Sequence, residues 1–142
     1  MSLVLDCSIA LCWVMPDEDS PLAESALERV STSGGIVPPL FRIEVGNALL
    51  IALRRKRVTA DFLGKAFERF GLLPLEQDSE GADHVWTRSI DIAVTHGLSL
   101  YDATYLELAL RRGLPLATLD RRLADAARNV GVAVPAGTGG TF

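Results

Sequence analysis

The chain has 142 residues, 49% of them hydrophobic and 23% charged, with 18 acids against 14 Lys and Arg for a net charge of −4. This composition excludes disordered and collagenous classes, and the length is enough to bury one core without disulfides or a structural metal. The negative balance argues against binding nucleic acid through bulk positive charge, with one qualification: if four acids belong to a metal site, the remaining 14 balance the 14 bases, and a basic rim could still surround an acidic pocket.

From the N-terminus onward, short apolar runs bounded by turn signals alternate with longer helical patterns, as in a parallel sheet flanked by helices. The first predicted strand covers residues 3–5 and ends on Asp6. Cys7 and Cys12 follow without a CxxC pair or a His at ligand spacing, so neither a disulfide framework nor a zinc site is expected. The apolar start has no basic flank and Asp6 breaks it well short of the roughly 20 residues of a membrane span, which predicts a cytoplasmic protein with no membrane contact.

Ser20 and Pro21 open a helix through LAESALERV, and the second predicted strand is 36–37. Pro38 and Pro39 precede the helix LFRIEVGNALLIALRRKR, and Thr59 caps ADFLGKAFERF. A third strand at 72–75 leads to GADHVWTRSIDIAVTH, read as a helix with Val85, Ile92 and Val94 among its buried positions. Ser99 caps LYDATYLELALRR; a fourth strand at 116–119 ends on Asp120, which caps RRLADAARNV; and 132–134 is a fifth strand. Gly34, Gly71, Gly97, Gly113 and Gly131 supply the stops. There is no repeat or linker, so 1–135 is one domain, and the glycine-rich segment 136–142 is expected to be a disordered tail.

In open parallel sheets, ligands bind outside the carboxyl ends of the strands where strand order reverses. Local sequence places Asp6 and Asp120 at such ends, although each can equally be a helix N-cap. Asp102 fits a capping box with Ser99, and its helix would begin on the same side of the sheet. Glu44 shares a helical face with Leu40, Phe41, Ala48 and Ile51. An acid in an apolar stripe must be paired, protonated or bound to a cation, or else reach water at the stripe's edge. If all four acids converge, their repulsion calls for a cation, and oxygen-only ligands suit Mg²⁺ or Mn²⁺ rather than zinc. Such a cluster serves phosphodiester hydrolysis.

Four segments in order, VLDCSIALCWVMPDE, FRIEVGNAL, GLSLYDATYLELA and LPLATLDRRLADAA, resemble the PIN-domain ribonucleases, and within them the VapC-like toxins of toxin–antitoxin pairs. The resemblance spans nearly the whole chain. It implies a three-layer α/β/α sandwich around a parallel sheet, here of roughly five strands, and Mg²⁺- or Mn²⁺-dependent endoribonuclease activity. Homodimerisation and inhibition by a cognate antitoxin protein are also implied. Asp6, Glu44 and Asp102 match the family's three principal metal-binding acids, and Asp120 matches the more peripheral fourth. Ser8 and Thr118 fall where members carry hydroxyls near the site.

Arg54, Arg55 and Arg57 are candidates for RNA contact, against the plainer reading of a solvated helix C-terminus. Trp13, Val14 and Phe62 are candidates for a dimer face, Trp86 for core or interface packing or for base stacking, and Tyr101 and Tyr105, one turn apart, for packing. His84 and His96 have no partner motif. Three other readings remain. A haloacid dehalogenase-type phosphatase wants a second acid where Ser8 stands. A phosphoacceptor signalling domain would use Asp78 and leaves Glu44 unexplained. A noncatalytic PIN-like module binding RNA or protein would not need the intact acids.

Overall fold

The computed structural model describes residues 2–135, and the predicted disordered tail at 136–142 lies outside them. Four strands, β1 (Leu3–Leu5), β2 (Gly35–Val37), β3 (Leu75–Gln77) and β4 (Leu116–Ala117), form one sheet in the order β3-β2-β1-β4. All pairings are parallel: Val4 lies opposite Ile36 on one side and Leu116 on the other, and Ile36 lies opposite Glu76. Gly35 lets β2 sit close to its neighbours, since a Cβ there would come within 2.9 Å of the Leu75 side chain and 3.0 Å of Leu5.

Among the described residues seven α-helices accompany the sheet: α1 (Cys7–Val14), α2 (Pro21–Ser33), α3 (Leu40–Arg54), α4 (Ala60–Gly71), α5 (Ile90–His96), α6 (Leu100–Arg112) and, after β4, α7 (Arg121–Asn129). The predicted caps are in place. Ser20, Thr59, Ser99 and Asp120 each accept a hydrogen bond from a backbone N–H in the first turn of their helix. The connections from β1 to β2 and β2 to β3 run one way along the sheet and that from β3 to β4 runs back. Right-handed crossovers therefore place α1 to α4 on one face and α5 and α6 on the other. Leu3, Val4 and Leu5 are wholly buried between the layers, with α2 and α6 both packed on β1. This is the expected α/β/α sandwich.

Four details differ from the sequence reading; the first is that the fourth strand, expected over 116–119, stops at Ala117, where the Thr118 hydroxyl turns to Asp6. The sheet has four strands rather than five among the described residues. Residues 132–134 make only one ladder-like bond, Leu116 N–H to the Ala133 carbonyl at 2.9 Å, against a β4 that is two residues long. The third strand starts at Leu75 instead of 72, because α4 continues through Gly71, Leu72 caps it, and Pro74 has no N–H for a ladder. The segment 81–96 is not one α-helix: a 3₁₀ turn (Gly81–His84) and a π turn (Val85–Ser89) precede α5. The wider π turn shifts the helical phase, leaving Trp86 90% and Val94 78% exposed.

Trp13 and Val14, expected at a partner face, pack within the chain. Val14 is buried, and the Trp13 indole N–H donates to the Ala23 carbonyl at 2.7 Å.

The segment after β3 is tied to α6 by Arg111. Its guanidinium donates to both carboxylate oxygens of Asp78 (2.7 and 3.1 Å) and both of Glu107 (2.8 and 3.1 Å), and reaches Glu80 at 3.3 Å. Asp78 also accepts from the Gly81 N–H at 2.8 Å, an approach that requires glycine because a Cβ there would lie 2.6 Å from the carboxylate. Burial acts to raise the Asp78 pKa, but the Arg111 and backbone bonds outweigh it and hold the carboxyl below its ordinary value.

Arg111→Met leaves Asp78 and Glu107 buried without their cation and is expected to lower the unfolding free energy by about 3–5 kcal/mol in urea titrations at neutral pH. Asp78 has a depressed folded pKa, so its contribution is present above the unfolded carboxyl value and is lost as pH falls through the folded one. The difference between wild type and Arg111→Met therefore narrows below about pH 4.

Candidate metal centre

Parallel strands send every β-to-α turn to the same edge of the sheet. β1 leads to β2 on one side, while β4 arrives on its other side from the far edge, so strand order reverses between β1 and β4. Asp6 immediately follows β1. Thr118 and Asp120 follow β4. Glu44 lies in the second turn of α3, which follows β2, and Asp102 lies in the first turn of α6.

Asp6 is buried and held on all sides. Oδ1 accepts from the Ser8 hydroxyl at 2.5 Å and the Ile9 N–H at 3.3 Å, and Oδ2 accepts from the Thr118 hydroxyl. It is thus both the N-cap of α1 and a carboxylate at the switch point; the two readings coexist. The Ser8 and Thr118 oxygens also accept, from the Leu119 and Asp120 N–H groups respectively, each at 3.0 Å. Each hydroxyl gives its proton to Asp6 and a lone pair to the loop after β4, which locks the two strand ends together.

Glu44 is half-buried, with Phe41 buried beside it and Ile51 at 39% exposure, so the apolar stripe predicted around it opens to solvent at its far end. Its Oε1 accepts from the Tyr105 hydroxyl at 2.5 Å. Asp102 is half-buried, and its N–H donates to the Ser99 hydroxyl at 3.1 Å. Asp120 is exposed and caps α7 through the Leu123 N–H at 3.0 Å.

Two of these carboxylates are raised by the charges of their neighbours. Asp102 is pushed up to about 6, first by burial and then by the charges of Asp120, Asp6 and Glu44. Glu44 is raised by burial and by Asp6, against the lowering bond from Tyr105. Burial raises Asp6 despite its hydroxyl and amide bonds. The Cys7 thiol is pushed up to about 12 by burial and by Glu44, Asp6 and Glu18, which favours the protonated thiol. No basic side chain is among the causes at Asp6, Glu44 or Asp102.

Among the described residues no three His, Cys, Asp or Glu side chains stand ready-formed around one ion. The acids converge on a region, not on a finished coordination shell. Their chemistry still fits a hard divalent cation: the donors are all oxygens, no base shifts Asp6, Glu44 or Asp102, and Mg²⁺ keeps several waters and binds through one or two carboxylates directly.

Other predicted residues fall outside this region. Arg54 and Arg55 are exposed at the end of α3, ten residues or more from Glu44, or roughly 15 Å along the axis. Arg57 pairs with Asp17 at 2.9 Å. Asp78, the phosphoacceptor candidate, is buried and paired with Arg111. Tyr105 is the site residue that the sequence reading left as packing. The only signal for it was a Tyr one turn beyond Asp102 on the same helix, facing an acid 61 positions away.

The family model of the PIN domain matches residues 3–129. The chain is similar to Ribonuclease VapC3 of Pyrobaculum aerophilum, with 33% identity over 129 residues, 88% of this chain and 94% of that protein. Among solved structures, PAE2754 from Pyrobaculum aerophilum superposes with a TM-score of 0.62 at 23% identity, covering 94% of this chain and 92% of its own. FitAcB from Neisseria gonorrhoeae gives 0.65 at 17%, covering 94% and 96%. A toxin–antitoxin complex from Klebsiella pneumoniae gives 0.63 at 15%, covering 95% and 97%.

The raised Asp102 pKa has a consequence for the metal-free protein. A carboxyl raised on folding contributes stability below its unfolded pKa and loses it as pH rises through the folded value. In chelator, the melting temperature is expected to rise by roughly 1–3 °C between pH 7.5 and pH 5, a range that allows for solvent screening of a half-exposed group. Asp102→Asn should melt higher than wild type at pH 7.5 and flatten this trend; a trend unchanged in Asp102→Asn would show that Asp102 is not its source.

Proposed function

The chain belongs to the PIN domain family, and from that premise we propose that it is a divalent-metal-dependent endoribonuclease, hydrolysing RNA phosphodiester bonds in the cytoplasm as the toxin of a toxin–antitoxin pair. What supports the proposal is that Asp6, Glu44, Asp102 and Asp120 follow strands or open helices at the edge where strand order reverses, and that burial and then neighbouring acids, rather than bases, shift Asp102. Likeness to a ribonuclease over most of the chain supports the substrate class, and likeness in fold to a toxin–antitoxin complex supports a cognate antitoxin as partner.

When bound, Mg²⁺ or Mn²⁺ supplies the charge that activates water and stabilises the phosphate and leaving oxygen. Asp6 and Asp102 are the ligands, Glu44 is a ligand or the orienter of the attacking water, and the exposed Asp120 acts from the periphery. Ser8 and Thr118 fix the Asp6 carboxylate. The N-termini of α1, α6 and α7 border the same region and favour a phosphate there. Arg54 and Arg55, at the far end of α3, are placed to touch RNA away from the cleaved bond, and Arg57 does so only by releasing Asp17.

Self-association is part of the proposal. Trp86, Val94 and Tyr101 are 90%, 78% and 63% exposed, and large apolar groups on a surface are well suited to a second copy.

Purified protein is expected to cleave single-stranded RNA in Mg²⁺ or Mn²⁺ and not in chelator. Asp6→Asn, Glu44→Gln and Asp102→Asn each reduce cleavage to the chelator background, and double variants are little worse than singles because the acids act as one unit. RNA bound but left intact under all these conditions would instead identify a noncatalytic binding module. Light scattering at micromolar concentration is expected to give twice the chain mass for wild type and the chain mass for Trp86→Glu; monomer in both cases would eliminate the dimer.

A further inference from the structure

We propose that Tyr105 is a positioning residue for Glu44: its phenol holds one carboxylate oxygen so that the other is presented to the acid cluster in a fixed direction. The inference rests on the site reading above and adds to it a residue that neither strand ends nor caps would single out.

Tyr105 is 1% exposed and is the largest of the fully buried side chains. Volume alone would be served by Phe, since a buried phenol must find a partner for its hydroxyl or lose a hydrogen bond with water. Its partner is not a backbone carbonyl of its own helix but the Glu44 carboxylate of α3, at 2.5 Å. The hydroxyl donates and Glu44 Oε1 accepts. The bond fixes a side chain with three rotatable torsions that has no other hydrogen bond among the described residues.

The geometry parallels that of Asp6. There, two hydroxyls from separate elements, Ser8 and Thr118, hold the carboxylate; here one hydroxyl from α6 holds an acid from α3. Rotational freedom removed before a cation arrives is freedom that need not be lost on binding, which is how outer-shell partners strengthen metal sites. Because Tyr105 lies on the same helix as Asp102, one turn further on, the bond also sets the spacing between the α3 and α6 acids.

The test uses the full chain and Mn²⁺ alone as probe, with affinity read from the electron paramagnetic resonance of free Mn²⁺ and cleavage of a single-stranded RNA read separately. Tyr105→Phe is expected to weaken Mn²⁺ binding by about 10–100-fold and to lower kcat by a similar factor, with KM for RNA changed by less than about twofold because the phenol does not touch RNA. In a Glu44→Gln background, Tyr105→Phe should cause no further loss of Mn²⁺ affinity. Unchanged affinity and kcat would overturn the proposal, and so would an equal loss in the Glu44→Gln background, which would mark a purely structural role. Wild-type protein that neither binds Mn²⁺ nor cleaves RNA would overturn the metal-site reading itself, and this proposal with it.

Should Tyr105→Phe fail to fold, the unsubstituted chain decides. It contains two tyrosines, so 3-fluorotyrosine labelling gives two ¹⁹F resonances, assigned with Tyr101→Phe. Saturable movement of the Tyr105 resonance with Mg²⁺, absent in Glu44→Gln, supports the proposal. A Tyr105 resonance indifferent to Mg²⁺ overturns it.

Discussion

A three-residue strand paired on both sides governs this molecule. β1 hydrogen-bonds in parallel to β2 and to β4, and the alternation of its side chains buries Leu3 and Leu5 against one layer and Val4 against the other. Being parallel, all strands deliver their carboxyl ends, and the helices that follow them, to one edge. Being central, β1 places its own end where the sheet changes direction. The acid cluster follows from those two facts: Asp6 ends β1, Asp120 follows β4, Glu44 follows β2, and Asp102 starts the helix that returns over the sheet.

The same constraint explains the tension at that edge. Helix N-termini favour negative charge, yet burial raises Asp102, Glu44 and Asp6 above their ordinary values, and at Asp102 and Glu44 the charges of neighbouring acids add to it. Elsewhere the fold treats buried acids in the opposite manner. Around Arg111, acids are gathered with a base in bidentate geometry and one of them is pulled down. One cluster carries its own counter-charge in Arg111; at Asp6, Glu44 and Asp102 no basic side chain contributes to the shift.

What the sequence disclosed depended on how local each signal was. Asp6, Asp102 and Asp120 stand beside their strands or caps, so a few neighbouring residues were enough to place them. Glu44 was legible through the helical period of LFRIEVGNAL, though Ile51 proved half-exposed. The Tyr105–Glu44 and Arg111–Asp78 bonds span 61 and 33 positions, and nothing local announces them; only the i,i+4 pair Glu107–Arg111 could have been suspected. The π turn at Val85–Ser89 defeated the periodicity of 81–96, since a reading in steps of 3.6 cannot anticipate an extra residue within a turn. The expected fifth strand failed for want of a partner, β4 being too short to pair beyond one bond.

The clamp on Asp6 joins positions 6 and 8 to 118, 119 and 120, more than 110 residues apart in the chain. During synthesis the N-terminal acid emerges long before the hydroxyl and amides that fix it, and the central strand lacks one of its two neighbours until β4 is made. Long-range parallel pairing of this kind forms late, after loop closure has been achieved. The order of translation therefore acts as a delay: the acid-lined edge is assembled only after residue 120 has been made, so the first acid of that edge waits for the last one before its surroundings are complete.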